Sequence, residues 1–279
     1  MEEHAKRRNR SWRKARRLVE RFAQPLWDHP AKTVSRSDVK AVISKIKAPF
    51  TANATLASLS AVFSFGVREG VVEANPCQGI SKNPVRSRER VATDDELRRL
   101  WSVLSSTVNQ WTVEFAVLKL ALLTGQRSSE IIHMRSSDLE ETGGGAWWTL
   151  PGEPDGDWPG RKSGNSHRVW LTPFALDILG PKRAKRDPKR AKHLRLDRAV
   201  QHACKMAGIT PAIKPHDLRR SFATLTAKYF GREPVSRLLG HSDHSVAAIY
   251  DRFSYDDPNK IIWERISAHV IDVVERHRT

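Results

Sequence analysis

Apolar residues recur at steps of three and four along the first 70 positions, a spacing that places them on one side of an α-helix. The pattern predicts a helix over residues 11–22 with Lys and Arg on its other faces. A second helix is predicted to begin near Ser37 and end at Pro49, and a third to run through Leu56 to Gly70. This part of the chain is therefore predicted to be a small helical domain.

Residues 75–90 combine prolines, a glycine and a cluster of arginines with little apolar periodicity, which is typical of a linker. We therefore predict a first domain over residues 1–82, a linker over 83–91 and a larger domain over 92–279. Thr93 and Glu96 have the spacing of a capping box, in which each side chain satisfies a free N–H group at a helix start. That helix is predicted to open the larger domain.

The pattern in the larger domain is mostly helical with a little β-structure. Helices are predicted over residues 112–123, 128–134, 216–229, 235–239 and 259–276, and two short strands over 147–150 and 168–171. Pro173 stands where the first residue of a helix is expected. The predicted fold class is mainly α: a small helical domain and a larger, mostly helical domain with a short β-sheet.

The net positive charge of the chain indicates which class of molecule it binds. The 279 residues include 48 Lys+Arg and 31 Asp+Glu, a formal net charge of +17, and such a field attracts polyanions and favours nucleic acid. A ribosomal or membrane-surface role is the weaker alternative. The Lys- and Arg-rich segment 182–198 is either a solvated face or a contact with backbone phosphates.

Other features predict a cytoplasmic protein without a membrane partner. Cys77 and Cys204 lie far apart and lack the neighbouring ligands of a zinc site, so neither a disulfide framework nor a metal is expected. The basic N-terminus is not followed by the apolar region of a signal peptide. No apolar run is expected to reach the length of a membrane span.

Candidate chemistry is concentrated near the C-terminus. His216 and Arg219 stand three residues apart and so share one helix face, where an imidazole and a guanidinium can bind one phosphate. His241 and Tyr250 follow, and a continuous helix would separate them by about 13.5 Å along its axis. Gly240 and the residues after His241 supply a turn and a new helix cap, so the chain can bend between them.

These four residues match a motif of the tyrosine recombinases of the phage integrase family in type, order and spacing. The segment ALLTGQRSSEIIHMRSSDL resembles the family's first arginine box, with Arg127 after a Thr-Gly turn and Glu130 one helical turn later. The segment KSGNSHRVWLT resembles the hairpin that carries the family's catalytic lysine, which would be Lys162. Residues 11–80 more weakly resemble the family's core-binding domain.

The resemblance implies that DNA is cut and rejoined through a 3′-phosphotyrosyl intermediate. The implied catalytic residues are Arg127, Lys162, His216, Arg219, His241 and Tyr250. Tyr250 would attack the phosphate while the two arginines stabilise the transition state, as metal ions do in other enzymes. His216 would accept the tyrosine proton, Lys162 would protonate the leaving 5′ oxygen, and His241 would hydrogen-bond the phosphate. No cofactor and no ATP are expected.

The family's biology implies a site-specific recombinase that integrates or excises mobile or prophage DNA. The implied partners are double-stranded DNA at attachment sites, clamped between the two domains, and three further copies of the chain in a tetramer on synapsed DNA. A host DNA-bending protein or an excisionase is a further candidate partner. Such a protein would work on the nucleoid of a bacterial cytoplasm.

Several alternatives stay open at this point. Tyr255 is the fallback nucleophile, and Arg161 adjoins Lys162 in a Gly- and Pro-rich stretch that is longer than the family hairpin. A type IB topoisomerase uses similar chemistry to relax supercoils. The chain starts almost directly in the core-binding pattern, so it is a simpler recombinase, a fragment, or an inactive remnant that only binds DNA.

Overall fold

The computed structural model describes residues 6, 9, 11–86, 88–106, 111–161, 163–180, 194–241 and 255–275. The chain divides into two compact units, Met1–Arg88 and Glu89–Thr279. The boundary between them lies inside the segment 83–91.

The first unit contains the helices α1 (Trp12–Phe22), α2 (Arg36–Ser44) and α3 (Pro49–Arg68). Helix α2 begins at a capping box, in which Ser35 Oγ accepts from Asp38 N at 3.3 Å and Asp38 Oδ2 accepts from Ser35 N at 2.9 Å. The prediction that Pro49 ends α2 is wrong. Helix α2 ends at Ser44, and Pro49 begins α3. A proline is tolerated there because the first N–H group of a helix has no partner within the helix.

Helix α3 corrects the expectation about apolar runs. Its 20 residues are long and apolar enough, by length and composition, to cross a membrane. One side of the helix packs into the core of the unit through Ala52, Leu56, Leu59 and Phe63. A core helix of a small helical unit therefore accounts for this apolar pattern.

The second unit is built mostly from helices. They are α4 (Asp94–Leu104), α5 (Thr112–Thr124), α6 (Ser128–Ile132), α7 (Pro173–Leu179), α8 (Leu196–Met206), α9 (Pro215–Phe230), α10 (Glu233–Leu238) and α11 (Asp256–Glu275). Helix α5 is the central element, because nine of its residues are buried and it packs against α9, α8 and α11. Trp263 of α11 is fully buried and donates from Nε1 to the carbonyl of Thr124 at 3.1 Å, which fixes the C-terminal end of α5.

A three-stranded antiparallel sheet covers one part of this core, in the order β1 (Leu139–Thr142), β2 (Gly145–Leu150), β3 (His167–Leu171). The two predicted strands lie within β2 and β3, whereas β1 was not predicted. Its sequence LEET lacks an apolar alternation because β1 is an edge strand with three exposed residues. The predicted fold class, mainly helical with a short sheet, is confirmed.

Candidate active site

Three segments of the second unit meet at the predicted site. We call residues 124–130 the arginine box, residues 160–165 the lysine turn and residues 238–241 the histidine turn. The arginine box and the histidine turn are joined directly, because the buried Gln126 donates from Nε2 to the carbonyl of Leu238 at 2.8 Å. The site is therefore assembled from residues more than 100 positions apart in sequence.

The arginine box turns sharply at the end of α5, where Gly125 has a positive φ of 70°. A Cβ atom on Gly125 would lie 2.3 Å from Cδ1 of Phe222 on α9. Only glycine satisfies both conditions, since other residues resist this backbone conformation and the ring leaves no space. The turn brings Arg127 to the start of the short helix α6.

Arg127 is held at that position by Glu130. The carboxylate of Glu130 accepts from the Arg127 backbone N–H at 3.0 Å and from Arg127 Nη1 at 3.1 Å. Glu130 is only 5% exposed, whereas the Arg127 side chain is 35% exposed. The sequence-based role of Glu130 as an orienting partner of an arginine agrees with these contacts.

Arg219, on α9, is buried with 3% exposure. Its Nη1 donates to the carbonyl of Gly125 at 2.7 Å, and its Nη2 donates to the carbonyl of Leu239 at 3.0 Å. Burial lowers the pKa of Arg219 to about 10, and the charge of Arg127 contributes. The guanidinium therefore remains charged at neutral pH and links the arginine box to the histidine turn.

His241 contacts Arg219 directly, with 3.2 Å between Nε2 and Nη2. Because a guanidinium can only donate, Nε2 accepts and the ring proton of neutral His241 lies on Nδ1. Partial burial and the charge of Arg219 lower the pKa of His241, which favours this neutral form. The ring is exposed, so its Nδ1–H group can serve as a donor to an anion.

His216 lies in the first turn of α9 and is exposed. Partial burial lowers its pKa, and the charges of Arg220 and Arg219 lower it further. Neutral imidazole at physiological pH can accept a proton. The structure thus supplies a proton acceptor one helical turn from Arg219.

Arg161 lies in the lysine turn. The sequence identified it only as a neighbouring cation that competes with Lys162 for the catalytic assignment. Its side chain is 2% exposed, and its nitrogens contact Glu130 Oε1 at 3.5 Å, the Asn165 carbonyl at 3.1 Å and the Gly240 carbonyl at 2.7 Å. Buried and bonded in this way, Arg161 cannot replace Lys162 at a substrate. No local sequence signal separates the two residues, because the main partners of Arg161 are distant in the chain.

His167, at the start of β3, faces the histidine turn rather than an open surface. Its Nε2 lies 3.1 Å from the Leu238 carbonyl. Burial, with the charge of Arg161 adding to it, lowers the pKa of His167 to about 3, so the ring is neutral and donates from Nε2. This contact supports its interpretation as a structural residue.

Lys162 and Tyr250 lie outside the described residues, and their roles remain predictions. Of the other tyrosines, Tyr229 has its hydroxyl 2.9 Å from His269 Nδ1, and the ring of Tyr255 lies 4.1 Å from the guanidinium carbon of Arg237. In the part of the chain that the structure describes, no three His, Cys, Asp or Glu residues are grouped so as to hold a metal ion.

The side chains of the candidate site that the structure describes fall into two sets, which differ in their burial. We call Glu130, Arg161, His167 and Arg219 the site floor, because they are largely buried and bind one another or backbone carbonyls. We call Arg127, His216 and His241 the site rim, because they are at least partly accessible. Three arginines accompany a single carboxylate here, so the arrangement suits an anion such as a phosphate.

Comparison with known proteins assigns the family. A model described as the phage integrase family matches residues 90–256, which is more than half of the chain. A tyrosine recombinase of Pseudothermotoga lettingae is 28% identical over 254 residues, covering 85% of this chain and 86% of that protein. Tyrosine recombinase XerC of Yersinia pestis is 25% identical over 236 residues, covering 80% and 76%.

Solved structures share the fold. A lambda integrase (75–356) dimer bound to a COC′ core site matches with a TM-score of 0.65 and 18% identity, over 88% of this chain and 92% of that one. The Tn1549 transposon integrase in complex with circular intermediate DNA matches with a TM-score of 0.59 and 16% identity, over 93% and 96%. The family model over residues 90–256 shows that the chain belongs to the phage integrase family, and its enzyme class is that of the tyrosine recombinases.

Proposed function

We propose that this protein cuts and rejoins duplex DNA at specific sites, with Tyr250 as the nucleophile. The observation that carries the proposal is the contact between Arg219 and His241, beside Arg127 and its carboxylate partner Glu130. A phosphodiester repels nucleophiles, and its pentavalent transition state carries additional negative charge. Fixed arginine charges with a histidine donor match that need.

The two arginines have different parts in this proposal. Arg219 is committed to the carbonyls of Gly125 and Leu239, so it supplies a fixed charge and holds the Nε2 atom of His241. Arg127 has an accessible guanidinium and presents its planar fork to phosphate oxygens. His241 then donates from Nδ1 to a non-bridging oxygen.

The proton transfers involve His216 and Lys162. Tyrosine has a pKa of about 10 in water and must lose its proton as it attacks, and neutral His216 accepts it. Lys162 gives a proton to the 5′ oxygen as its bond to phosphorus breaks. The 3′-phosphotyrosyl ester conserves the energy of the broken bond, so a 5′-hydroxyl of another strand reverses the step without ATP or a metal ion.

The biological setting that we propose is the integration or excision of mobile or prophage DNA in a bacterial cytoplasm. One similar structure is a lambda integrase tetramer bound to a Holliday junction, with a TM-score of 0.65 and 18% identity over 86% of this chain. By analogy, four copies of this chain join two duplexes, with residues 1–82 as the core-binding domain and residues 92–279 as the catalytic domain. A host DNA-bending protein or an excisionase assists.

A nicked suicide duplex that carries the cognate site tests the proposal. Cleavage next to the nick releases a short oligonucleotide, so the covalent complex accumulates and is counted on a denaturing gel. Wild type is expected to form it in the presence of EDTA and without ATP, whereas Tyr250→Phe binds the duplex but forms none. A covalent complex of equal yield with Tyr250→Phe would refute the assignment.

Two other functions are separated by related assays. A type IB topoisomerase would relax supercoiled plasmids that lack the cognate site, whereas a recombinase would act efficiently only when the site is present. An inactive remnant would bind the duplex, but even the wild-type protein, with all its tyrosines, would form no covalent product.

A further inference from the structure

Arg161 connects three segments of the candidate site. Its Nε lies 3.5 Å from Glu130 Oε1 in the arginine box, and its Nη2 donates to the Gly240 carbonyl in the histidine turn at 2.7 Å. Its Nη1 donates at 3.1 Å to the Asn165 carbonyl, within its own lysine turn. One side chain thereby links the lysine turn to both groups of residues around the candidate phosphate position.

The backbone on both sides of Lys162 is held as well. Arg161 N donates to the Gly152 carbonyl at 2.8 Å, and Gly164 N donates to the Arg161 carbonyl at 3.1 Å. A Cβ atom on Gly152 would lie 2.0 Å from the Gly164 oxygen, so this turn is seated tightly on the preceding loop. The described neighbours of Lys162 therefore have little freedom to shift independently.

The histidine turn has a matching shape. Gly240 has a positive φ of 59°, and a Cβ atom there would lie 2.1 Å from Arg161 Nη2. The absence of a side chain at Gly240 is thus what admits the guanidinium to this place. A larger residue at position 240 would therefore displace the Arg161 guanidinium and break its hydrogen bond to the carbonyl of that residue.

A buried arginine is a costly way to fill space. Removing its charge from water costs several kcal/mol, and a well-packed apolar side chain is often at least as stabilising. Glu130 offsets only part of this cost, since it is shared with Arg127. The cost is explained if the arginine has a positional role in the reaction.

We infer that Arg161 is a positioning residue for the general acid, because it ties the described residues on both sides of Lys162 to Glu130 and to the Gly240 carbonyl. The inference rests on the proposed function, in which Lys162 protonates the leaving 5′ oxygen. Loss of Arg161 leaves Lys162 in the chain but no longer holds its turn at the phosphate. A misplacement of about 1 Å can slow a reaction by about 10²-fold.

Changing the leaving group separates this role from a merely structural one. An alkoxide must be protonated as it leaves, whereas a thiol has a pKa of about 8.5 and leaves as a thiolate. A suicide duplex with a bridging 5′ sulfur at the cleaved bond therefore has little need of the general acid. A defect that acts through Lys162 disappears on the sulfur duplex, and a general loss of site structure does not.

The experiment measures single-turnover cleavage of the oxygen and sulfur duplexes by wild type, Lys162→Ala, Arg161→Met and Arg161→Lys. Arg161→Met is expected to cleave the oxygen duplex about 10²-fold more slowly and the sulfur duplex within about threefold of wild type. Arg161→Lys retains a charge but not the planar fork, and is expected to be slowed about tenfold on the oxygen duplex alone. It also carries the test if Arg161→Met is too unstable to purify.

Arg135→Met is the matched control. Arg135 bridges two carboxylates, Asp138 and Asp155, and both of these partners lie outside the arginine box and the histidine turn. This variant is expected to cleave both duplexes at nearly the wild-type rate.

The outcomes distinguish a failure of the inference about Arg161 from a failure of the proposed function. Equal slowing of the Arg161 variants on both duplexes, or no slowing on the oxygen duplex, overturns the inference while leaving the proposed function intact. Failure of wild type to form a covalent complex, or failure of the sulfur duplex to restore Lys162→Ala, overturns the proposed function and the inference with it.

Discussion

The site floor and the site rim use similar residue types for different purposes. Arg219 and Arg161 on the floor are 3% and 2% exposed and donate to backbone carbonyls, whereas the Arg127 side chain on the rim is 35% exposed. His167 on the floor binds the Leu238 carbonyl, whereas His216 and His241 are exposed. Residue type therefore does not decide which group meets the substrate.

The difference has a consequence for mutagenesis. Floor residues hold three distant segments in place, so their loss should affect both stability and strand cleavage. Rim residues can contact the phosphate at little structural cost, so their loss should affect cleavage far more than stability. Measuring the free energy of unfolding and the cleavage rate of each variant tests this distinction.

Arg219→Met is expected to have the largest effect. It leaves the carbonyls of Gly125 and Leu239 without their donor and releases His241, so we expect a loss of about 3 kcal/mol in the free energy of unfolding. Cleavage of the suicide duplex should fall by more than about 10³-fold. Urea unfolding and single-turnover cleavage measure the two quantities.

Arg99→Met is the control for this variant, because Arg99 donates to the carbonyls of Ala207 and Gly208 and contacts none of the site residues that the structure describes. It should reduce stability but leave the cleavage rate of the folded protein close to wild type. Unchanged stability in Arg219→Met would contradict the placement of Arg219 on the floor.

Arg127→Met is expected to slow cleavage by about 10² to 10³-fold, because it removes a phosphate-binding fork. The free energy of unfolding should change by at most about 1 kcal/mol, since the side chain is partly exposed and the Arg127 backbone N–H and Arg161 remain as partners of Glu130. A large destabilisation with little effect on cleavage would reverse the assignment of Arg127 to the rim.

Gly125→Ala should reduce the free energy of unfolding by about 2 to 4 kcal/mol. The new methyl group meets the Phe222 ring, and the residue must also adopt a positive φ. Gly143→Ala is its control, because Gly143 has open space at its Cβ position and should change stability by less than about 0.5 kcal/mol. Equal stability of the two variants would show that the turn is not tightly packed.

The smallest expected effect concerns pH. The pKa of His167 is about 3 in the folded protein, and an unfolded histidine titrates near 6.5, so the unfolded state gains a proton first as the pH falls. Protonation of this histidine in the unfolded state should lower the free energy of unfolding by about 2 kcal/mol as the pH falls from 7.5 to 5. His167→Gln, which keeps a donor for the Leu238 carbonyl, should lose less stability over that range, and identical slopes would contradict the burial of His167.

Local features of the fold could be predicted from the sequence because their partners are close together. The capping box at α4 is confirmed, with Thr93 Oγ1 accepting from Glu96 N at 3.2 Å and Glu96 Oε2 accepting from Thr93 N at 3.0 Å. The start of α7 at Pro173 is confirmed as well. Each of these signals lies within a few residues and does not depend on the rest of the molecule.

Features that depend on distant partners were missed. The sequence around Arg161 and Lys162 offers two adjacent cations in a glycine-rich turn, and only the Gly240 carbonyl, 79 positions away, identifies which one is buried. The edge strand β1 is visible only through its pairing with β2. The proposed roles of Arg127, His216, Arg219 and His241 came from spacing, whereas the division between floor and rim required the fold.

Tyr250 is the residue that we propose to become covalently joined to DNA. Wild-type protein trapped on the suicide duplex can be digested with protease, and the peptide that carries the nucleotide can be identified by mass spectrometry. We predict that the modified residue is Tyr250, in the peptide that follows His241. Attachment at Tyr255 or Tyr229, or the absence of any nucleotide-linked peptide from protein that binds the duplex, would contradict the account.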